Sequence, residues 1–426
     1  MTTEMELPEG WQRVKLGEAY SFTKKPRSIC YEDYEQIPFV PMEFVPIGTP
    51  SFDRYLQKKP ADLTSGNYFE AGDLLLARIT PSFENGKQGV IESMTLPFGI
   101  GSTELIPIQP KEGIGDRDYL ACYLLQSKVR DELASKMEGS TGRQRLNKYA
   151  LEKHIINLPP LPEQRAIANV LGAVQAALAA RRREQQSEKE HKAALLEQLF
   201  TRGTRGEATQ ETEIGELPMS WEVTTLGNLL NIKGGKRLAK GAPFAEIQTP
   251  HPYIRVTDFT NGTIRVENLK YITAEVQAPI ARYIIRQADV YISIAGSIGL
   301  VGVIPEELDG ANLTENAARL VIKDSAQLDR NYLAKYLATE YGQQQIQGLT
   351  VKTTQPKLAL ARIAWIKIPL PPLPEQQRIA AVLGALDAKL GALAVEVARL
   401  EELFRALLEE LLSGRLRVAT DVNRTE

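Results

Sequence analysis

Two mixed α/β (α+β) globular domains in tandem repeat, separated by a long antiparallel two-helix coiled coil and related by a pseudo-two-fold axis, are what this sequence predicts. Three observations carry the expectation. The chain is written twice, the hexapeptide PPLPEQ closes each globular stretch, and an apolar heptad succeeds each hexapeptide.

The repeat comes first because it sets the domain count. Leu7-Pro8, Trp11 and Leu16-Gly17 recur as Leu217-Pro218, Trp221 and Leu226-Gly227. IPFVPMEF (37–44) lies against HPYIRVTDF (251–259), and GDLLLARI (72–79) against ADVYISIA (288–295). All four are apolar or alternating runs that predict strands. YLACYLL (119–125) matches YLAKYLA (332–338), with tyrosine and leucine at helical spacing that predicts core. Thr141 to Gln164 aligns with Thr353 to Gln376 without a gap. The resulting boundaries are a first globule at 1–158, a central helix at 159–202, a linker at 203–216, a second globule at 217–370, a C-terminal helix at 371–415 and a tail at 416–426.

Each PPLPEQ reads as a stiff entry to a helix. Consecutive prolines favour extended backbone, Pro162 and Pro374 stand where a missing N–H is tolerated, and Glu163 and Glu375 complement the helix dipole. The C-terminal helix then carries Ile379, Leu386, Leu393, Leu400 and Leu407 seven apart, interleaved with Leu383, Leu390, Val397, Phe404 and Leu411. The central helix gives Ile167, Leu171, Val174, Leu178, Leu195 and Leu199, but its middle, RRREQQSEKEHK (181–192), has no large apolar residue. Either long aliphatic stems or another protein would cover the facing stripe there. A helix of about 40 residues is roughly 60 Å long, and the short linker reaches at most roughly 50 Å, so the second helix should run back along the first. The expected result is a strut with one globule at each end.

Composition limits the function. With 51 Lys and Arg against 53 Asp and Glu, a net charge of -2 excludes a uniformly basic coat, so any nucleic-acid contact must be local. Cys30 and Cys122 cannot build a disulfide framework, and His154, His191 and His251 show no metal-ligand spacing. No run approaches a membrane span, which points to a soluble cytoplasmic protein. Neither an [ND]PP[YF] motif nor GxxxxGK[ST] occurs, GSIGLVG (296–302) reads as a tight turn, and no carboxylate pair stands out. A non-catalytic chain is expected, with no cofactor or metal of its own.

Two similar globules at fixed separation suit a reader of two DNA half-sites, since about 60 Å corresponds to roughly 17 base pairs. They would equally suit an adaptor that clamps two protein partners. The order globule, PPLPEQRAIA, long helix, globule, PPLPEQQRIA, long helix resembles the DNA-specificity subunit of type I restriction-modification enzymes over nearly the whole chain. LPEGWQRVKLGE, LPMSWEVTTLGN and the GDLLLARI strand look like that family's two target-recognition domains. The resemblance implies that each globule reads one half of a split asymmetric sequence in double-stranded DNA. It also implies that the helices fix the spacing and dock two modification (methyltransferase) subunits, which motor-nuclease restriction subunits then join. S-adenosylmethionine and ATP would bind those partners. A related methyltransferase-only or type IIB-like system would use the same design.

Phosphates call for Lys, Arg and small polar donors, and base edges for Arg on guanine and Asn or Gln on adenine. Loops rich in these beside glycines give the candidates. In the first globule they are Lys24, Lys25, Arg27, Arg78, Asn85, Lys87, Arg143, Gln144 and Arg145. In the second they are Lys236, Arg237, Arg255, Thr257, Asp258, Ser297, Lys352, Thr353, Thr354 and Gln355.

Overall fold

A computed structural model describes residues 7–48, 50–140, 142–260, 262–351 and 356–419. The candidates Lys352, Thr353, Thr354 and Gln355 lie outside the described residues. The chain divides into two compact units, Met1–Gln185 with Leu393–Glu426, and Gln186–Ala392. Both divisions fall inside long helices, so each unit holds the start of one helix and the end of the other.

In the first unit, apolar runs become a five-stranded sheet in the order Tyr20–Phe22, Leu105–Pro110, Leu74–Ala77, Gln88–Ile91, Ser51–Phe52. A four-stranded sheet, ordered Leu56–Lys58, Ile37–Val40, Phe98–Gly101, Asn67–Glu70, accompanies it. The run Leu74–Ala77 is buried at every position, as expected for a central strand covered on both faces. The second unit repeats the plan with Leu230–Gly234, Ala317–Ile322, Val290–Ser293 and Val301–Val303. Its smaller sheet is three-stranded, in the order Lys270–Tyr271, Pro252–Ile254, Asn312–Leu313. Ile37–Val40 pairs parallel with Phe98–Gly101, and Pro252–Ile254 pairs parallel with Asn312–Leu313, so the aligned segments hold the same place in each fold.

The matching tyrosines are core, as their spacing predicts, and each hydroxyl is satisfied on the backbone. Tyr119 donates to the Asn157 carbonyl at 2.9 Å and Tyr332 to that of Pro369 at 2.8 Å. Those acceptors lie on Ile155–Leu158 and Lys367–Leu370, the strands that run directly into the two PPLPEQ segments.

The hexapeptide does more than stiffen the entry. The helices run Leu161–Thr201 and Leu373–Leu412, with Pro160 and Pro372 accepting the first helical N–H bonds. Pro162 and Pro374 are therefore second helical residues, still among the first-turn positions whose N–H has no intrahelical partner. Glu163 and Gln164 are buried. Glu163 accepts from the Trp11 indole at 3.1 Å, and Gln164 accepts from the Asp116 N–H at 2.8 Å while donating to the carbonyls of Ile114 and Pro159. In the second copy, Glu375 accepts from the Trp221 indole at 3.3 Å, and Gln376 accepts from the Asp329 N–H at 2.9 Å while donating to the carbonyls of Gln327 and Pro371. A carboxylate and an amide thus weld each helix to its globule.

The segments leaving the two helices complete the weld. Gly203 (φ +63°) and Gly414 (φ +76°) turn the chain in the left-handed conformation that ends a helix, and a Cβ on Gly203 would stand 2.7 Å from Glu375 Oε1. Thr204 then donates its N–H to Glu375 at 2.8 Å, with Arg205 at 3.5 Å. In the first unit Arg417 grips Glu163 through Nε at 2.6 Å and Nη2 at 2.9 Å. The segment read as a tail is the structural equivalent of the linker.

The heptads meet antiparallel. In the first unit Arg181 pairs with Glu396 at 2.8 Å and Arg182 with Glu401 at 2.6 Å; in the second, Lys389 meets Glu188 at 2.6 Å and Lys192 meets Asp387 at 2.5 Å. From Glu163 on Arg417 to Arg181 on Glu396 in the first unit, and from Glu188 on Lys389 to Lys192 on Asp387 in the second, numbers rise along one side of the pair as they fall along the other. In the polar middle of the central helix, Arg181, Arg182, Glu188 and Lys192 are thus paired by charge across to the other helix. Ile379, Leu383, Leu393 and Leu411 are buried and Leu386, Leu390, Val397, Leu400, Phe404 and Leu407 half-buried. On the central helix Ile167, Leu171, Leu178 and Leu199 are buried and Val174 and Leu195 half-buried, whereas off-seam Val382, Val395 and Leu403 are exposed. Phe200, Leu408 and Leu412, outside the seam, are buried because the helix ends also pack on the globules.

Candidate nucleic-acid interface

In the first unit, the exposed hairpin Glu138–Ser140 with Arg143–Arg145 comes after a helix pair, and its return strand is bonded to the sheet. Thr80 donates its N–H to the Gln144 carbonyl at 3.0 Å, and Leu146 donates to the Arg78 carbonyl at 2.7 Å. That docking brings the candidates Arg78, Arg143, Gln144 and Arg145 to one place. Lys24, Lys25 and Arg27 lie on the loop after Tyr20–Phe22, and Lys25 Nζ sits 4.2 Å from the Tyr31 ring centre. Burial pushes the Lys148 ammonium below its usual range, and the charges of Arg78 and Lys24 push it further. Lys148, missed from the sequence, lies near both Arg78 and Lys24 and so links these two candidates. Its signal was available, since it stands three residues beyond Arg145.

Asn85 and Lys87 ride a turn held from beneath. The buried Arg130 guanidinium donates to the Phe83 carbonyl and to Gln88 Oε1, and a Cβ on Gly86 would meet it at 3.2 Å. Burial lowers Arg130 to about 10, with the charge of Glu84 opposing only in part. A rigid turn presents its exposed Asn85 at a fixed angle.

In the second unit Lys236 and Arg237 stand on backbone stitched to the neighbouring strand, Lys236 N–H donating to the Leu313 carbonyl at 2.8 Å. Leu358 N–H donates to the Ile294 carbonyl at 2.9 Å, and Ala295 is bridged to Lys357, so the end of TVKTTQPK docks on the sheet as the return strand of the first unit's hairpin does. Lys357 is thereby a second residue that sequence selection passed over. Ser297 is exposed in the turn of GSIGLVG, which closes between Val290–Ser293 and Val301–Val303. Arg255 and Asp258 behave otherwise. Asp258 is buried and binds the Arg255 backbone N–H at 2.8 Å and its guanidinium at 2.7 Å, a closed turn that satisfies both side chains internally.

Among the described residues, no group of three or more His, Cys, Asp or Glu could hold a metal ion, and no helix is long and apolar enough to cross a membrane.

The family model for the type I restriction modification DNA specificity domain matches residues 8–188 and again 218–402. The chain belongs to the type I restriction-modification DNA specificity family. It is 24% identical to the type I restriction enzyme MjaVIII specificity subunit of Methanocaldococcus jannaschii, over 97% of this chain and 95% of that one. With the EcoAI specificity subunit of Escherichia coli it shares 31% identity over 38% of this chain and 27% of that one. The crystal structure of the type I restriction-modification system S subunit from M. genitalium has the same fold, with a TM-score of 0.62 at 16% identity over 96% of this chain and 97% of that one. The two matched stretches of this specificity subunit coincide with the two copies of the repeat.

Proposed function

We propose that each unit of this specificity subunit reads one half of a split asymmetric DNA target, that the paired helices fix the distance between the halves, and that catalysis resides elsewhere. Two modification subunits dock on the helices, motor-nuclease subunits join them, and S-adenosylmethionine and ATP bind on those partners in the cytoplasm. One observation carries the reading: two copies of one frame carry cationic loops whose residues differ from copy to copy. Arg78 and Lys24 already disfavour the charge on Lys148 in the free chain, and a phosphate among the three would relieve that repulsion. The reading loops are therefore Lys24, Lys25, Arg27, Arg78, Lys87, Arg143, Gln144 and Arg145 in one unit and Lys236, Arg237 and the 351–357 segment in the other. Methylome sequencing of a host carrying the intact operon tests it. A bipartite asymmetric motif is expected, and a contiguous motif or no modification would refute it.

A further inference from the structure

We propose that Glu104 and Glu315 are positioning residues for DNA specificity, each orienting one base-reading arginine, Arg145 in the first unit and Arg237 in the second. The inference rests on the DNA-reading function proposed for the two units.

The two carboxylates stand at the entry to the same strand, one residue apart in register: the Arg78 N–H bonds to the Glu104 carbonyl as the Ile294 N–H bonds to that of Asn316, so Glu315 holds the place of Thr103. Glu104 immediately precedes strand Leu105–Pro110, and Glu315 stands just ahead of Ala317–Ile322, the second strand of the matching sheet in each unit. Each binds an arginine by its Nε edge. Glu104 accepts from Arg145 Nε at 3.0 and 2.9 Å and from Nη2 at 2.5 Å; Glu315 accepts from Arg237 Nε at 2.6 Å. The other oxygen of Glu315 is fixed by the Thr314 hydroxyl at 2.9 Å. Hydrogen bonds from Arg145 hold the Glu104 carboxyl below its usual range; burial pushes Glu315 up, but Arg237 and Thr314 outweigh it, so both are ionised at neutral pH.

The arginines come from different loops. Arg145 returns on the hairpin docked to the sheet, whereas Arg237 comes just after strand Leu230–Gly234. A carboxylate at the same strand entry, with readers brought from different loops, is what two domains need in order to read different bases on one frame.

Chemistry separates base from phosphate as the target. A guanine takes the Nη1–Nη2 edge, which is not the edge these carboxylates hold. Carboxylates with side chains 20% and 27% exposed repel an incoming phosphate but fix the rotamer of a base reader and so lower the ordering cost of binding. As bare surface ion pairs they would contribute little to stability.

The experiment uses the complete complex and duplexes carrying the methylated motif, with each base pair changed in turn. A wild-type complex without a bipartite motif would fail the half-site reading itself; the variants address only this inference. Glu104→Gln and Arg145→Lys are expected to lower discrimination about tenfold at one G·C pair of one half-site, leaving the other half-site and the salt slope unchanged. Glu315→Gln and Arg237→Lys should do the same in the other half-site. Discrimination unchanged in the variants overturns the proposal. So does a uniform rise or fall of affinity across the panel in variants whose thermal unfolding matches wild type. Arginine-to-lysine changes leave the fold's buried contacts untouched, so each unit retains a readable variant.

Discussion

The two PPLPEQ joints and the two loop clusters have taken opposite courses within one chain. At the joints the copies share their main bonds: tryptophan on glutamate, a backbone N–H of Asp116 or Asp329 on glutamine, and a glycine-turned segment closing over the carboxylate, through Arg417 in one copy and Thr204 in the other. At the loops they share a carboxylate near the same strand entry, one residue apart in register, and little else. Buried polar groups must all be satisfied together, so the joint admits few solutions, whereas an exposed loop that need only dock by backbone bonds can change every side chain. Where the two copies match, the packing of buried polar groups demands it; where they diverge, each copy is free to read a different sequence of bases.

The largest effect expected is at a joint. Glu375→Ala would leave the Trp221 indole, the Thr204 N–H and its hydroxyl without their acceptor, costing about 3–5 kcal/mol, measurable by chemical denaturation of the second unit. Glu163→Ala should do the same in the first. Wild-type stability in either would break the contrast between joint and loop. Next is the seam: Leu383→Ala, fully buried, should cost about 3 kcal/mol, and exposed Val382→Ala within about 0.5 kcal/mol, so equal losses would mean that the helices do not pair in this register. At the loops stability should be nearly untouched. Lys148→Ala or Lys24→Ala should weaken binding to every duplex alike and lower the salt slope by about one, which filter binding over a salt series reads. An unchanged slope in both removes this cluster from the footprint.

The smallest effect is a pH dependence confined to the first unit. His154 is buried, with Tyr123 on one ring nitrogen at 3.1 Å and Glu132 at 3.2 Å from the other. Burial pushes its imidazole below the usual value, Glu132 opposing and Lys136 adding to the depression. The unfolded chain therefore takes the proton first, and this contribution to stability is present above the ordinary histidine pKa of about 6.5 and lost as pH falls through it. Unfolding midpoints between about pH 7 and 5 should show a shallow decline that His154→Gln abolishes.

The repeat, the strands at Leu74–Ala77 and Val290–Ser293, and the direction of the helices were legible because periodicity and reach dictate them. The weld at Glu163 and Glu375 was not, because a dipole-complementing glutamate and one buried under tryptophan look identical in sequence. Nor was the equivalence of Arg205 and Arg417, since the repeat closes on itself only once the helices turn back. In the loops, Arg145 and Arg237 were picked out as cations beside glycines, but their carboxylate partners sit 41 and 78 residues away in sequence and required the fold to be seen. Arg255 with Asp258 shows the opposite error, two attractive polar residues that satisfy each other in a turn.

The most direct test replaces residues 218–370 with the first copy, 8–158, joint to joint, and sequences the methylome of a host carrying the altered operon. Interchangeable joints on an antiparallel helix pair should give a bipartite inverted repeat of one wild-type half-site. An asymmetric motif that keeps both original halves, or loss of all modification by a chain that folds and assembles, would contradict it.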